Sequence, residues 1–110
     1  MKPHTIKVHF ATTYDSHATK RTHLYSRIGY LVVTRELDPA SLTKYNITHT
    51  NSGYVVARFY KLAHAFAAIK LLLPLTDWKQ GSAALRYNID LLQRVRDISE
   101  QVGGKVTTCN

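Results

Sequence analysis

The chain has a single cysteine, Cys109, which cannot close an internal bridge, so no disulfide framework staples the fold and a reducing compartment suits it. Acidic residues are missing altogether between positions 39 and 76, a stretch that carries Lys44, Arg58, Lys61 and Lys70. Long hydrophobic runs are missing too. The most apolar stretch, residues 62–75, is broken by His64, Lys70 and Pro74 and is too short to cross a bilayer. Residues 1–11 alternate Lys7 and His9 with Ile6, Val8 and Phe10 and lack the apolar core of a secretory signal, which favours a cytoplasmic protein with no membrane span. Glycine is sparse, five in 110 residues, and none of the five builds a phosphate-cradling loop, a dinucleotide fingerprint or a nucleophile elbow. No cofactor is expected.

What is present is an ordinary core composition under an excess of positive charge. Hydrophobic residues make up 45% of the chain, enough for one domain spanning residues 1–110 that buries about two-thirds of its extended surface. The net charge is +8 with histidine neutral. Residues 1–35 contribute +5, Glu36 and Asp38 contribute −2, residues 39–76 contribute +4 and residues 77–110 only +1. Basic excess of this kind attracts nucleic acid, anionic lipid or acidic protein.

Hydrophobic spacing predicts an α+β fold, with a mainly antiparallel sheet of three or four strands and two helices packed on one face. Residues 5–10 alternate as a half-buried strand. Residues 11–26 are polar and basic without a clear period, which reads as a flexible loop. Residues 27–35 are apolar on both faces, as in a central strand, with Gly29 at a bulge. Asp38-Pro39-Ala40-Ser41 is turn chemistry. Two further strands flank Asn51-Ser52-Gly53, a three-residue hairpin turn with glycine in the left-handed position. That register sets Tyr45, Ile47 and His49 beside Val55, Ala57 and Phe59 on a core face. Asn46, Thr48 and Thr50 then lie beside Tyr54, Val56 and Arg58 on a face turned mostly to solvent. Residues 61–73 form a helix stopped by Pro74, Trp78 folds back over the core, and residues 82–101 form a second helix capped by Ser82, with Leu85, Ile89, Leu92, Val95, Ile98 and Val102 forming its apolar stripe.

Catalytic and metal signals are weak. Six histidines lack paired ligand spacing, so no metal site is expected. Asp15-Ser16-His17 holds the residue types of a hydrolytic triad, but neighbours in sequence cannot line up as one. Asn46-Ile47-Thr48 matches a glycosylation acceptor and is better read as strand. A metal-independent endoribonuclease would draw on His49, Tyr54, Arg58 and Lys61, yet the hairpin register sets His49 on the face opposite Arg58.

The expectation that accounts for most of the sequence is noncatalytic binding of DNA or RNA. Thr48, Thr50, Tyr54 and Arg58 on the hairpin face would meet phosphates or bases, with Lys20, Arg21 and Arg27 adding charge from the N-terminal loop. The alternatives are an interaction or inhibitor module for an acidic protein partner and the small endoribonuclease. Homodimerisation through a sheet edge is compatible with each.

Overall fold

In a computed structural model of the chain, which describes residues 5–9, 19–80, 85 and 87–106, alternation governs the N-terminal half. Strand β1 (Thr5–His9) pairs antiparallel with β2 (Thr19–Ile28), setting Thr5 opposite His23, Lys7 opposite Arg21 and Val8 opposite Lys20. Residues 19–26 are therefore strand, which corrects the reading of residues 11–26 as loop; residues 11–18 lie outside the described residues. The strand is hard to see locally because Lys20, Arg21 and His23 are all exposed, and only Thr22 is fully buried between them. What orders this polar segment is the ladder that β1 supplies.

Residues 27–35 are not one strand. Gly29, at φ +60°, and Tyr30, whose φ is negative, form a two-residue turn of the II′ pattern between Ile28 and Leu31, so β2 folds straight back into β3 (Leu31–Arg35). The bulge lies instead at Tyr25, between the pairs Leu24–Thr34 and Ser26–Val33. An Asx-type turn follows, in which Asp38 Oδ1 accepts from the Ala40 N–H at 2.9 Å.

Strands β4 (Tyr45–His49) and β5 (Val55–Phe59) pair as the hydrophobic pattern requires at their far end, with Tyr45 opposite Phe59, Asn46 opposite Arg58 and Ile47 opposite Ala57. Near the turn the register shifts by one and Thr48 meets Val55. The His49 N–H donates to the Tyr54 carbonyl and the Gly53 N–H to the His49 carbonyl, so four residues, 50–53, make the connection where three were expected. Gly53 holds the left-handed conformation, φ +76°. The bulge reverses two neighbours: Val56 joins the core, and Val55 falls on the face of Thr48.

A short strand β6 (Gly104–Val106) adds to β5. The sheet thus runs β1-β2-β3-β4-β5-β6, with β2 to β6 forming a five-stranded antiparallel ladder and β1 extending it on the N-terminal half of β2. That exceeds the three or four strands expected, because both β2 and β6 are too polar or too short to signal themselves.

Helix α1 (Leu62–Leu72) buries Ala65, Ala68, Ile69 and Leu72, and a 3-10 turn over Leu73–Leu75 takes in Pro74. Two alanines at the centre of the buried stripe let the helix backbone approach the sheet closely. Helix α2 (Ile89–Gln101) is capped by Asn88, whose side chain accepts from the Leu91 N–H at 3.1 Å. The sequence suggests one helix over residues 82–101; Leu85 is helical, but Tyr87 is in a turn and Asn88 is extended, so the helical stretch is interrupted there and resumes at Ile89, while Ser82 lies outside the described residues. With the later start its buried positions are Leu91, Val95 and Ser99, and Ile89 is exposed. Both helices pack on the sheet face that carries Leu31, Val33, Ile47, Ala57 and Phe59, where Trp78 is buried and its Nε1 donates to the Leu72 carbonyl at 3.0 Å. None of the described helices is long and apolar enough to cross a membrane.

Candidate functional site

The sheet face opposite the helices was expected to be largely open, and it is not. Val32, Thr34, Asn46 and Thr48 are all buried there. Thr48 is 0% exposed, and its hydroxyl bonds that of Thr34 at 2.9 Å, so it has no surface to offer a ligand. Asn46 donates through Nδ2 to Glu36 at 2.9 Å, which also closes the glycosylation reading, since acceptor asparagine and threonine are both inside. Thr50 is half-buried and its Oγ1 is enclosed with no hydrogen-bond partner among the described residues. Tyr54 is half-buried at the turn, its N–H donating to Ser52 Oγ at 3.2 Å.

Arg58 is the residue on which the charge argument leaned most. Its Nη1 donates to Glu36 Oε2 at 2.6 Å, with 34% of the Arg58 side chain and 7% of the Glu36 side chain exposed. The other Glu36 oxygen accepts from the backbone N–H groups of Leu37 and Asp38 at 2.9 and 3.1 Å. Residues 39–76 lack acid in sequence but not in space. Glu36, three positions upstream, is folded onto the one cation that the register had singled out. The expectation of a hairpin face turned mostly to solvent is thereby corrected: the Thr48 hydroxyl is inside and the Arg58 guanidinium is paired with Glu36.

Lys20, Arg21 and Arg27 do not form one patch either. With the bulge at Tyr25, the register sends Lys20 and Arg27 to the face of Val32 and Arg21 to the other. On that other face Arg21 stands directly across the ladder from Lys7, both exposed. The Arg21 guanidinium is held on β1, with Nε donating to Thr5 Oγ1 at 3.0 Å and Nη2 to the Thr5 carbonyl at 3.2 Å. Those contacts use two of its five N–H donors. Among the described residues neither Lys7 nor Arg21 meets a carboxylate. Like charges directly opposite in an antiparallel pair repel, so an uncompensated Lys–Arg pair is a place where an anion stabilises the strands.

The same face continues past Arg21 through His23 and Tyr25 to Tyr45 on β4, and Arg35 is the cross-strand partner of Tyr45. Lys7, Arg21, His23 and Arg35 are exposed; Tyr25 and Tyr45 are half-buried, resting against the rim of the core. This strip has little signature in the sequence because the polar, basic composition of residues 11–26 hides the strand. The available signal was the alternation of Arg21, His23 and Tyr25, a period of two inside a polar segment.

His49 and Arg58 are on opposite faces, so the structure does not gather the residues a ribonuclease would need. His49 is buried; its Nε2 donates to the Trp78 carbonyl at 2.6 Å and its Nδ1 shares a hydrogen bond with Ser52 Oγ at 2.8 Å. With Asn51 Nδ2 donating to the Lys79 carbonyl at 2.9 Å, this ties the β4–β5 turn to the tryptophan segment. Asp15, Ser16 and His17 lie outside the described residues. Among the described residues no three histidine, cysteine, aspartate or glutamate side chains gather as metal ligands.

Comparison with protein-family models, curated proteins and solved structures finds no match to this chain.

Proposed function

We propose that the protein binds nucleic acid without acting on it chemically, and that the contact surface is the strip on the β1–β2 ribbon, not the β4–β5 hairpin. One observation carries the reading: Lys7 and Arg21 are exposed cross-strand partners with no carboxylate against either among the described residues. A phosphate seated between them relieves the repulsion and takes up donors that the Thr5 contacts leave over. Because the Arg21 guanidinium is already held on β1, little side-chain entropy is lost when it engages a phosphate. A cytoplasmic setting belongs to the same reading and fits the single cysteine.

The experiment is binding of a labelled oligonucleotide over a salt series. Log K should fall linearly with log salt, and Lys7→Ala and Arg21→Ala should each lower the slope by about 1. Absence of binding even at low salt would end the proposal. Capture of a protein partner that survives nuclease treatment, with no oligonucleotide affinity, would shift the strip to an acidic protein.

A further inference from the structure

Charge on a ribbon does not distinguish single strands from duplexes, since both present phosphates. The strip carries a second feature that does. The His23 and Tyr25 ring centroids are 4.5 Å apart with their planes at 65°, and those of Tyr25 and Tyr45 are 5.6 Å apart at the same angle. Three rings therefore run in an unbroken edge-to-face row from β2 to β4. Cations stand beside the row: Lys7 and Arg21 beyond it on the β1–β2 side, and Arg35 on β3, across from Tyr45. Arg35, like the other two, meets no carboxylate among the described residues.

Tyr25 and Tyr45 have a sufficient packing role in closing the rim of the core. His23 does not. It is exposed, it sits on the outer side of Tyr25, and nothing in the core needs it. A ring held in place by another ring, beside cations that meet no carboxylate among the described residues, is the arrangement that receives an unstacked base while phosphates lie over the neighbouring charges. In a duplex the base faces are already stacked on one another, so a row of rings adds nothing to its binding.

We infer that the strip is specific for single-stranded nucleic acid, with bases stacking on His23 and Tyr25 and the backbone tracking Lys7, Arg21 and Arg35. This rests on the nucleic-acid reading above and narrows it. Spacing supports it: Arg21 and His23 are alternate residues on one face of β2, about 7 Å apart, so the guanidinium lies within a nucleotide's reach of the ring row that begins at His23.

The test uses the full chain with a 15-nucleotide oligothymidylate and a mixed-sequence DNA duplex of 15 base pairs at one salt concentration. Single strand should bind at least about tenfold more tightly, although the duplex carries more charge. His23→Ala should weaken single-strand binding about fivefold or more and change duplex binding less than twofold. Tyr25→Leu, which keeps the apolar packing, should do the same; if it does not fold, His23→Ala, an exposed position, still decides. Equal affinity for the two ligands, unchanged by His23→Ala, overturns the stacking inference and leaves the nucleic-acid reading standing. No affinity for either removes both.

Discussion

Arg58 and Glu36, on neighbouring stretches 22 residues apart, are joined by a 2.6 Å hydrogen-bonded ion pair. The two ends of the pair are unequal. Glu36 also accepts from Asn46 Nδ2 and from two backbone N–H groups, whereas Arg58 is a third exposed and within reach of water. Glu36→Ala should therefore destabilise by about 2 to 3 kcal/mol, because it strands the buried Asn46 donor and removes the Arg58 ion pair together with two backbone hydrogen bonds. Arg58→Ala should cost about 1 kcal/mol after allowing for solvent screening. Urea denaturation of the two variants checks this, and equal losses would contradict the asymmetry. Oligonucleotide affinity of the Arg58→Ala variant should stay within about twofold of the original; a large loss would return the binding site to the hairpin.

The Thr34 and Thr48 hydroxyls bond only where water does not reach. Thr34→Val or Thr48→Val alone should cost about 1 to 2 kcal/mol, since each leaves the other hydroxyl buried without that partner. The double variant should be little worse than either single one. A thermodynamic cycle from chemical denaturation measures the coupling, and additive effects would show that the pair is not an isolated unit.

Gly103 and Gly29 both have positive φ, +83° and +60°, but differ in what surrounds them. A Cβ at Gly29 meets nothing within 4 Å, while one at Gly103 comes within 3.1 Å of the His64 ring. Gly29→Ala should cost about 1 kcal/mol, the backbone term alone. Gly103→Ala should cost about 2 kcal/mol, and adding His64→Ala should recover the difference. Thermal unfolding of the four proteins reads this directly; no recovery in the double variant would place the strain in the backbone and not at the ring.

His49 joins the β4–β5 turn to the Trp78 carbonyl from inside, and Asn51 makes the parallel link from outside. His49→Phe should destabilise by about 2 kcal/mol and shift Trp78 emission to longer wavelength as the indole gains solvent. Asn51→Ala, at an exposed position, should change stability by less than about 0.5 kcal/mol and leave the emission unmoved. The chain has one tryptophan, so the signal has a single source.

Where burial and spacing coincided, the sequence was readable. Tyr45, Ile47, Ala57 and Phe59 alternate cleanly, and their pairing followed; Pro74 and Gly53 act through their own backbone geometry and stand where expected. Reading failed where an element is ordered by distant partners. Residues 19–26 become strand because β1 supplies a ladder, and the helical stretch that includes Leu85 is interrupted at Tyr87 and Asn88, whose side chain caps α2 at Ile89. Of the basic residues expected at the surface, Arg21 joins the strip on the β1–β2 ribbon, and only the pairing of β1, β2, β3 and β4 brings His23, Tyr45 and Arg35 beside it.

The sequence by itself determined the α+β character, the hairpin and helix core, the excess of positive charge and the absence of acid from residues 39–76. Tertiary structure alone decided which of those charges meet a carboxylate among the described residues. Charge compensation acts through space over a few ångströms, and chain distance is blind to it. Glu36, outside the acid-free stretch, reaches Arg58 within it, and Lys7 meets Arg21 only because β1 and β2 pair in one register. A basic composition is fixed by residue identities; a basic surface exists only where the fold leaves cations together and keeps the carboxylates elsewhere.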